Sequence, residues 1–231
     1  MKINRCTRLI KALFTLQVLV AVPFAGSVFG QVKTEEQPKT PEQTKTTAQV
    51  LVQAAQVNNF VQRFDDRFLI KLALERNDGE TKEMLFLSNS MGYVAYSVPV
   101  ALMVGGIVRH DSQMRQNSLY VGSSAAITLG ATLLMKTIFK RRRPFVQNLK
   151  IVAVYNAGST SFPSGHTSTS FAIATALSRA YPKWYVIVPS YLWAASVGYS
   201  RMYLGVHYPS DVFGGALLGT TTSWVLRPAF K

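Results

Sequence analysis

The stretch MLFLSNSMGYVAYSVPVALMVGGIV, residues 84–108, decides the fold. No charge interrupts it between Glu83 and Arg109. At ~1.5 Å rise per residue, a helix of this length crosses a hydrocarbon core of about 30 Å. A second run, SLYVGSSAAITLGATLLM (118–135), has the same texture. Three shorter runs follow at 167–178, 184–199 and 212–226, rich in Ser, Thr and Gly. Small residues of this kind close helix–helix contacts in membranes and serve soluble bundles equally well. No β alternation and no internal repeat is visible. The reading is an all-α, membrane-embedded helical bundle over residues 84–231. Taken alone the three shorter runs are weak spans; counted with the two long ones they give five spans plus a cleaved signal peptide, or six spans if the leader is retained.

Upstream the texture changes. Residues 1–30 carry Lys2, Arg5, Arg8 and Lys11 and no acid, then an apolar stretch from Leu13 to Phe24 and small residues. That is the pattern of a secretory signal peptide ending before Gln31, or of a first transmembrane helix with the same orientation. Residues 31–48, QVKTEEQPKTPEQTKTTA, cannot bury apolar area and read as a flexible linker. Residues 49–83 place Leu51, Ala55, Phe60, Phe64, Phe68 and Leu72 at helical spacing, which predicts an amphipathic helix. The tetrapeptide NDGE at 77–80 reads as a turn after it.

Composition narrows the partners. Of 231 residues, 48% are apolar and 16% charged, against about 25% charged on average. The mean hydropathy is only +0.14 because the N-terminal third is polar. The formal net charge is +14, and no nucleic-acid-binding motif accompanies it. Acidic lipids or phosphorylated substrates are the partners this charge suits, and a nucleic acid is not. The single cysteine, Cys6, leaves no intrachain disulfide and no cysteine metal cluster.

Three clusters border the apolar runs. The first, LLMKTIFKRRRPFV (133–146), sets Lys136, Lys140, Arg141, Arg142 and Arg143 before Pro144. On one helix Lys136, Lys140 and Arg143 share a face, and Pro144 ends that helix at Arg143. Such cations anchor a membrane edge or form half of an anion site. The second, FPSGHTSTS (162–170), breaks the chain at Pro163 and starts a helix for which Ser164 is a natural N-cap. A helix N-terminus is an anion site; Gly165 permits close approach of a ligand and His166 points at whatever binds. The third, SRMYLGVHYPSD (200–211), brings Arg201, His207 and Asp211 to the start of the last run, with Pro209 suited to a first helical turn. Four residues apart, Asp211 can fix the tautomer of His207. Each cluster alone also reads as ordinary: an anchor, a capped helix, a loop with a chance pair. His110, between Arg109 and Asp111, reads as a surface residue.

Taken together, Lys136-x6-Arg143-Pro144, Pro163-Ser164-Gly165-His166 and Ser200-Arg201-x5-His207-x3-Asp211 match the three signature motifs of the type 2 phosphatidic acid phosphatase (PAP2) superfamily. The sequence resembles that family over about residues 84–226. The resemblance implies that His207 is a nucleophile forming a phosphohistidine, that Asp211 holds it, and that His166 protonates the leaving oxygen and then activates water. It implies that Lys136, Arg143, Arg201, Ser164 and the Gly165 N–H hold the phosphoryl oxygens, with no metal or other cofactor needed. Lys140, Arg141 and Arg142 lie outside the motifs and would hold a second anionic group. The resulting expectation is a bacterial inner-membrane lipid phosphatase with its site at the periplasmic face. Its substrate would be an undecaprenyl, glycerophospholipid or lipid A phosphate. The alternatives are a soluble secreted acid phosphatase of the same superfamily, which would prefer a soluble ester, and a non-catalytic phospholipid-binding protein, which would bind without turnover.

Overall fold

A computed structural model describes residues 60–158 and 160–230. The expected leader and linker, residues 1–48, and the first part of the 49–83 segment lie outside these. The chain divides into two units at residues 67 and 68, and the second carries all three clusters. Among the described residues every regular element is helical.

Helix α1 occupies 60–75. Its C-terminal half sets Leu69 and Leu72 into an apolar cluster with Ile151, Tyr203 and Tyr208. The NDGE tetrapeptide is the start of the next helix rather than a turn before it. The Asn77 side chain accepts the Glu80 N–H at 2.9 Å and caps α2, Asp78–Val108. Asp78 and Glu80 in its first turn favour the positive helix end. The first long apolar helix therefore begins six residues before the uncharged run.

A turn containing His110, exposed and at φ 54°, leads to α3, Ser112–Phe139, which Asp111 caps. Helix α3 stops before Pro144. Lys140 takes the left-handed conformation at φ 45°, and Arg143 is extended, as a residue preceding proline prefers. Lys136, Lys140 and Arg143 thus do not share one continuous helix. A single turn, α4 (Pro144–Gln147), and a loop follow. Then come α5 (Gly165–Ala180), α6 (Trp184–Tyr203) and α7 (Pro209–Leu226). A closing 3-10 turn covers Arg227–Phe230.

The five long helices alternate in direction. The α3–α5 and α6–α7 connections, and with them all three clusters, share one end of the bundle. Helix α2 turns an apolar face outward: Phe86, Tyr93, Tyr96, Val100 and Ile107 are exposed, Tyr96 by 78%. Helices α2 and α3 are both long and apolar enough to cross a bilayer. Apolar side chains displayed over that length are stable in lipid and not in water. Inside, α5 is lined with small hydroxyl and methyl groups; Thr167, Ser168, Ser170, Ala172 and Ala174 are buried. Helix α7 meets it through Gly215 and Gly219. A Cβ built on Gly215 would stand 2.7 Å from Ser164 O, and one on Gly219 2.0 Å from Ser168 O. Only glycine lets the two backbones come this close. That contact sets the PSGH turn against the start of α7.

Candidate active site

The site grows from the two turns at that end. Helix α6 ends in a Schellman arrangement. Gly205, at φ +73°, donates to Met202 O at 2.9 Å, and Val206 donates to Arg201 O at 3.2 Å. The His207 N–H also reaches Arg201 O, at 3.3 Å. The reversal buries His207, and Pro209 starts α7 at once. Asp211, at the third position of α7, is fully buried and accepts the Tyr208 N–H at 2.9 Å. It thus caps its own helix while facing His207.

His207 is enclosed from both sides. Its Nε2 lies 3.0 Å from Arg143 Nη1. A guanidinium can only donate, so Nε2 is the acceptor and the ring hydrogen sits on Nδ1. Nδ1 faces Asp211 Oδ2 at 3.6 Å and Ser161 Oγ at 3.4 Å. Burial holds this imidazole far below its ordinary range, at about 3. Asp211 pulls the other way, and Arg143 and Arg201 add to the lowering. His207 is therefore a neutral ring with its Nε2 lone pair directed at a cation.

The cations are held largely by uncharged groups. Arg143 donates to Val206 O at 2.8 Å and to Gly158 O at 2.9 Å. Lys136 donates to Thr160 O and, at 3.3 Å, to Ser161 O. Arg201, 2% exposed, donates to Ser88 Oγ of α2 and lies 5.6 Å from the Tyr155 ring centre. Its Nε has no hydrogen-bond partner. All three act electrostatically on His166, in the first turn of α5. Ser164 takes the N-cap position, but its side chain does not cap. Its N–H donates to Asp211 O at 3.1 Å, and its hydroxyl accepts from Thr167 at 2.9 Å. The α5 N-terminus thus keeps first-turn N–H groups that no side chain caps. A side chain at Gly165 would meet only Thr132, at 3.7 Å, so glycine is not sterically required there.

The three clusters thus converge. The expected second anion group divides. Lys140 and Arg142 are exposed, but Arg141 turns inward: its Nη1 is 2.7 Å from both Asp211 Oδ1 and Ser210 Oγ. Its guanidinium lies 4.1 Å from the Tyr208 ring centre. The buried carboxylate of Asp211 outcompetes a solvated position for this cation. Sequence reasoning did not single out Ser161, Ser88 or Gly205. Only Gly205 had a sequence signal, a glycine following a helical run and preceding a proline.

A cluster of cations around a neutral, carboxylate-backed histidine, at the end of an apolar helix bundle, has the chemistry to receive an anion. The chain belongs to the PAP2 superfamily, whose model matches residues 117–231. It is 30% identical over 135 residues to an Escherichia coli K12 protein named provisionally as an undecaprenyl-diphosphatase. That match takes in 58% of this chain and 66% of the relative. It is 35% identical over 82 residues to the lipid A 4'-phosphatase of Bacteroides thetaiotaomicron, covering 36% of each chain. The chain thus spans somewhat less than two thirds of the first relative and about a third of the second. The fold matches the crystal structure of a transmembrane PAP2-type phosphatidylglycerolphosphate phosphatase from Bacillus subtilis. The TM-score is 0.62 and the identity 24%, over 80% of this chain and 94% of that one. The fold is all-α, and two of its helices are long and apolar enough to cross a membrane.

Proposed function

We propose that the protein is a metal-independent phosphatase of lipid phosphate monoesters or pyrophosphates that works through a phosphohistidine. The observation that carries this reading is the neutral, buried His207 with its Nε2 lone pair turned toward Arg143. A phosphoryl group entering between Arg143, Lys136 and Arg201 offers its oxygens to their N–H donors, and Arg143 transfers its hydrogen bond from Nε2 to one of them. The Nε2 lone pair then attacks phosphorus and the bond to the leaving oxygen breaks. His166, which takes up a proton once the phosphoryl anion offsets the cations around it, supplies that proton to the leaving oxygen. The ring carries positive charge while Nδ1 keeps its hydrogen, and Asp211 offsets that charge. In the second half His166 takes a proton from water, the water oxygen attacks phosphorus, and the N–P bond returns its electrons to Nε2. Preorganised donors of this kind are worth about 3–4 kcal/mol each.

A lipid substrate is favoured by the outward apolar faces of α2 and α3, and by relatives named for polyprenyl and lipid A phosphates. We place the site at the periplasmic face of the inner membrane. The opposite end carries Arg109, Arg115, Arg179, Lys183 and Arg227, as the positive-inside rule prefers for the cytoplasm. At the site end, Lys136, Arg141, Arg143 and Arg201 are engaged in the pocket rather than displayed.

The test is phosphate release by the detergent-purified protein in EDTA. Phosphatidic acid, phosphatidylglycerol phosphate, undecaprenyl pyrophosphate and lipid A are compared with a soluble aryl phosphate, with His207→Ala as control. Release from lipids that the variant loses supports the proposal. Preference for the soluble ester assigns the protein to the acid phosphatases. Binding of the lipids without release overturns the catalytic reading.

A further inference from the structure

The hydroxyl of Ser161 sits between the two residues on which the proposed reaction turns. Ser161 is fully buried, and its N–H donates to Arg141 O at 2.8 Å. Its Oγ donates to Asp211 Oδ2 and lies 3.4 Å from His207 Nδ1. The direct separation of Nδ1 and Oδ2 is 3.6 Å, too long for a hydrogen bond. A hydroxyl has one hydrogen and two lone pairs. Its hydrogen is directed to the carboxylate, so towards Nδ1 it accepts. That requires the hydrogen on Nδ1, the tautomer that Arg143 imposes from the other side of the ring.

Asp211 is itself immobilised. Oδ1 receives Arg141 at 2.7 Å, and Oδ2 receives Tyr208 N–H at 2.9 Å. Arg141 also holds Ser210 and lies against the Tyr208 ring. The serine and the carboxylate are thus tied to the same arginine, one through its backbone and one through its side chain.

We infer that Ser161 is a positioning residue that couples Asp211 to His207, with Arg141 anchoring the carboxylate. The inference rests on the phosphatase reading. As the N–P bond forms and the ring gains charge, the Nδ1–H bond to Ser161 tightens, as such contacts do once substrate is bound. The carboxylate acts on the ring through the hydroxyl dipole, and no proton moves to Asp211.

The test uses the full chain in detergent, with phosphatidic acid and undecaprenyl pyrophosphate as substrates. Ser161→Ala lowers kcat by about 10–100-fold, the range found where a hydrogen-bond partner orients a metal-bound imidazole. KM stays within about threefold, because the hydroxyl does not touch substrate. In an Asp211→Asn background the same substitution costs less than about threefold more, since its partner is already lost. Ser161→Cys keeps the volume with a weak donor and follows the same pattern, and it replaces the alanine variant if that one does not fold. A kcat within about threefold of the native protein, a rise in KM alone, or losses that multiply in the double variant would each overturn the coupling. Absence of turnover in the native protein on every lipid phosphate removes the phosphatase reading and this inference with it. Native turnover with an indifferent Ser161→Ala removes the inference alone.

Discussion

Replacing Gly219 with alanine tests whether the α5–α7 contact sets the site. An ideal Cβ at 219 falls 2.0 Å from Ser168 O, 2.8 Å from Ala172 N and 3.0 Å from Ser168 C. Real Cβ atoms essentially never come within 3.0 Å of such atoms, so the helices must part by about 1 Å at this point. The obstructing atoms are backbone and cannot rotate away. Overpacking of this kind destabilises by roughly 1–3 kcal/mol, and the intrinsic helix preference of alanine over glycine returns at most about 1 kcal/mol. The displacement is not confined to position 219. Helix α5 carries His166 and α7 carries Asp211, so moving one against the other alters the distance across which the proton and the phosphoryl group travel. A misplacement of about 1 Å typically lowers turnover by ~10²-fold.

The assay is thermal unfolding in detergent beside phosphate release. Gly219→Ala lowers both the unfolding temperature and kcat. Gly215→Ala, whose Cβ stands 2.7 Å from Ser164 O, gives a smaller loss of each. Gly130→Ala has nothing within 4 Å of its Cβ and leaves both unchanged or slightly raises the unfolding temperature. If Gly219→Ala unfolds and turns over like Gly130→Ala, the helix contact does not set the site and the reasoning fails.

Three further outcomes follow from the site. Arg143→Lys cannot reach Val206 O, Gly158 O and His207 Nε2 together, so kcat/KM falls by about 10²–10³-fold, and steady-state kinetics that leave it unchanged refute the fork geometry. His207 is held near pH 3 when folded and titrates near 6.5 when unfolded; between those values the unfolded chain binds a proton the folded one refuses. Stability therefore falls as pH drops from 6.5 towards 3, and His207→Gln flattens that slope in unfolding temperatures measured across the window. Lys140→Ala and Arg142→Ala raise KM for a pyrophosphate lipid more than for a monoester, and equal effects on the two substrates would remove these residues from substrate recognition.

Much of the fold is legible in the sequence because membrane helices announce themselves by uninterrupted apolar length. The run at 84–108 needs no partner to be recognised, and the run at 184–199 extends only as far as Tyr203. The third cluster is legible for a different reason: His207, Pro209 and Asp211 lie within about one helical turn, where sequence spacing is spatial spacing. What escapes is set by distant contacts. The early end of α3 follows from a left-handed Lys140, which favours no side chain strongly enough to be read. Arg141 looks equivalent to Arg142 in the chain. It differs because Asp211, seventy residues away, is folded against it. Ser161 lies two residues before Pro163 of the PSGH turn, yet its contacts are with His207 and Asp211, some fifty residues on. The close approach at Gly219 is a property of two helices, and GALLG alone does not say which helix it meets.

The charge arrangement gives the site its direction. Lys136, Arg141 and Arg143 act on the buried carboxylate of Asp211, and Arg141 pairs with it at 2.7 Å. Lys136 and Arg201 are held by carbonyl oxygens, a hydroxyl and an aromatic face, and Arg143 donates to two carbonyl oxygens. Neutral partners fix a cation in place and leave its charge uncompensated. Had carboxylates held them, the pocket would be neutral and a phosphoryl anion would have to displace them. As built, the anion completes the site, and the donors are already aimed before it arrives. The same logic explains why Asp211 is clamped on both oxygens. A mobile carboxylate among these cations would swing to Arg143 or Lys136 and neutralise them. Arg141 and Ser161 hold it behind His207, where on the proposed mechanism its charge would support the nucleophile and be kept from competing for the phosphate's place.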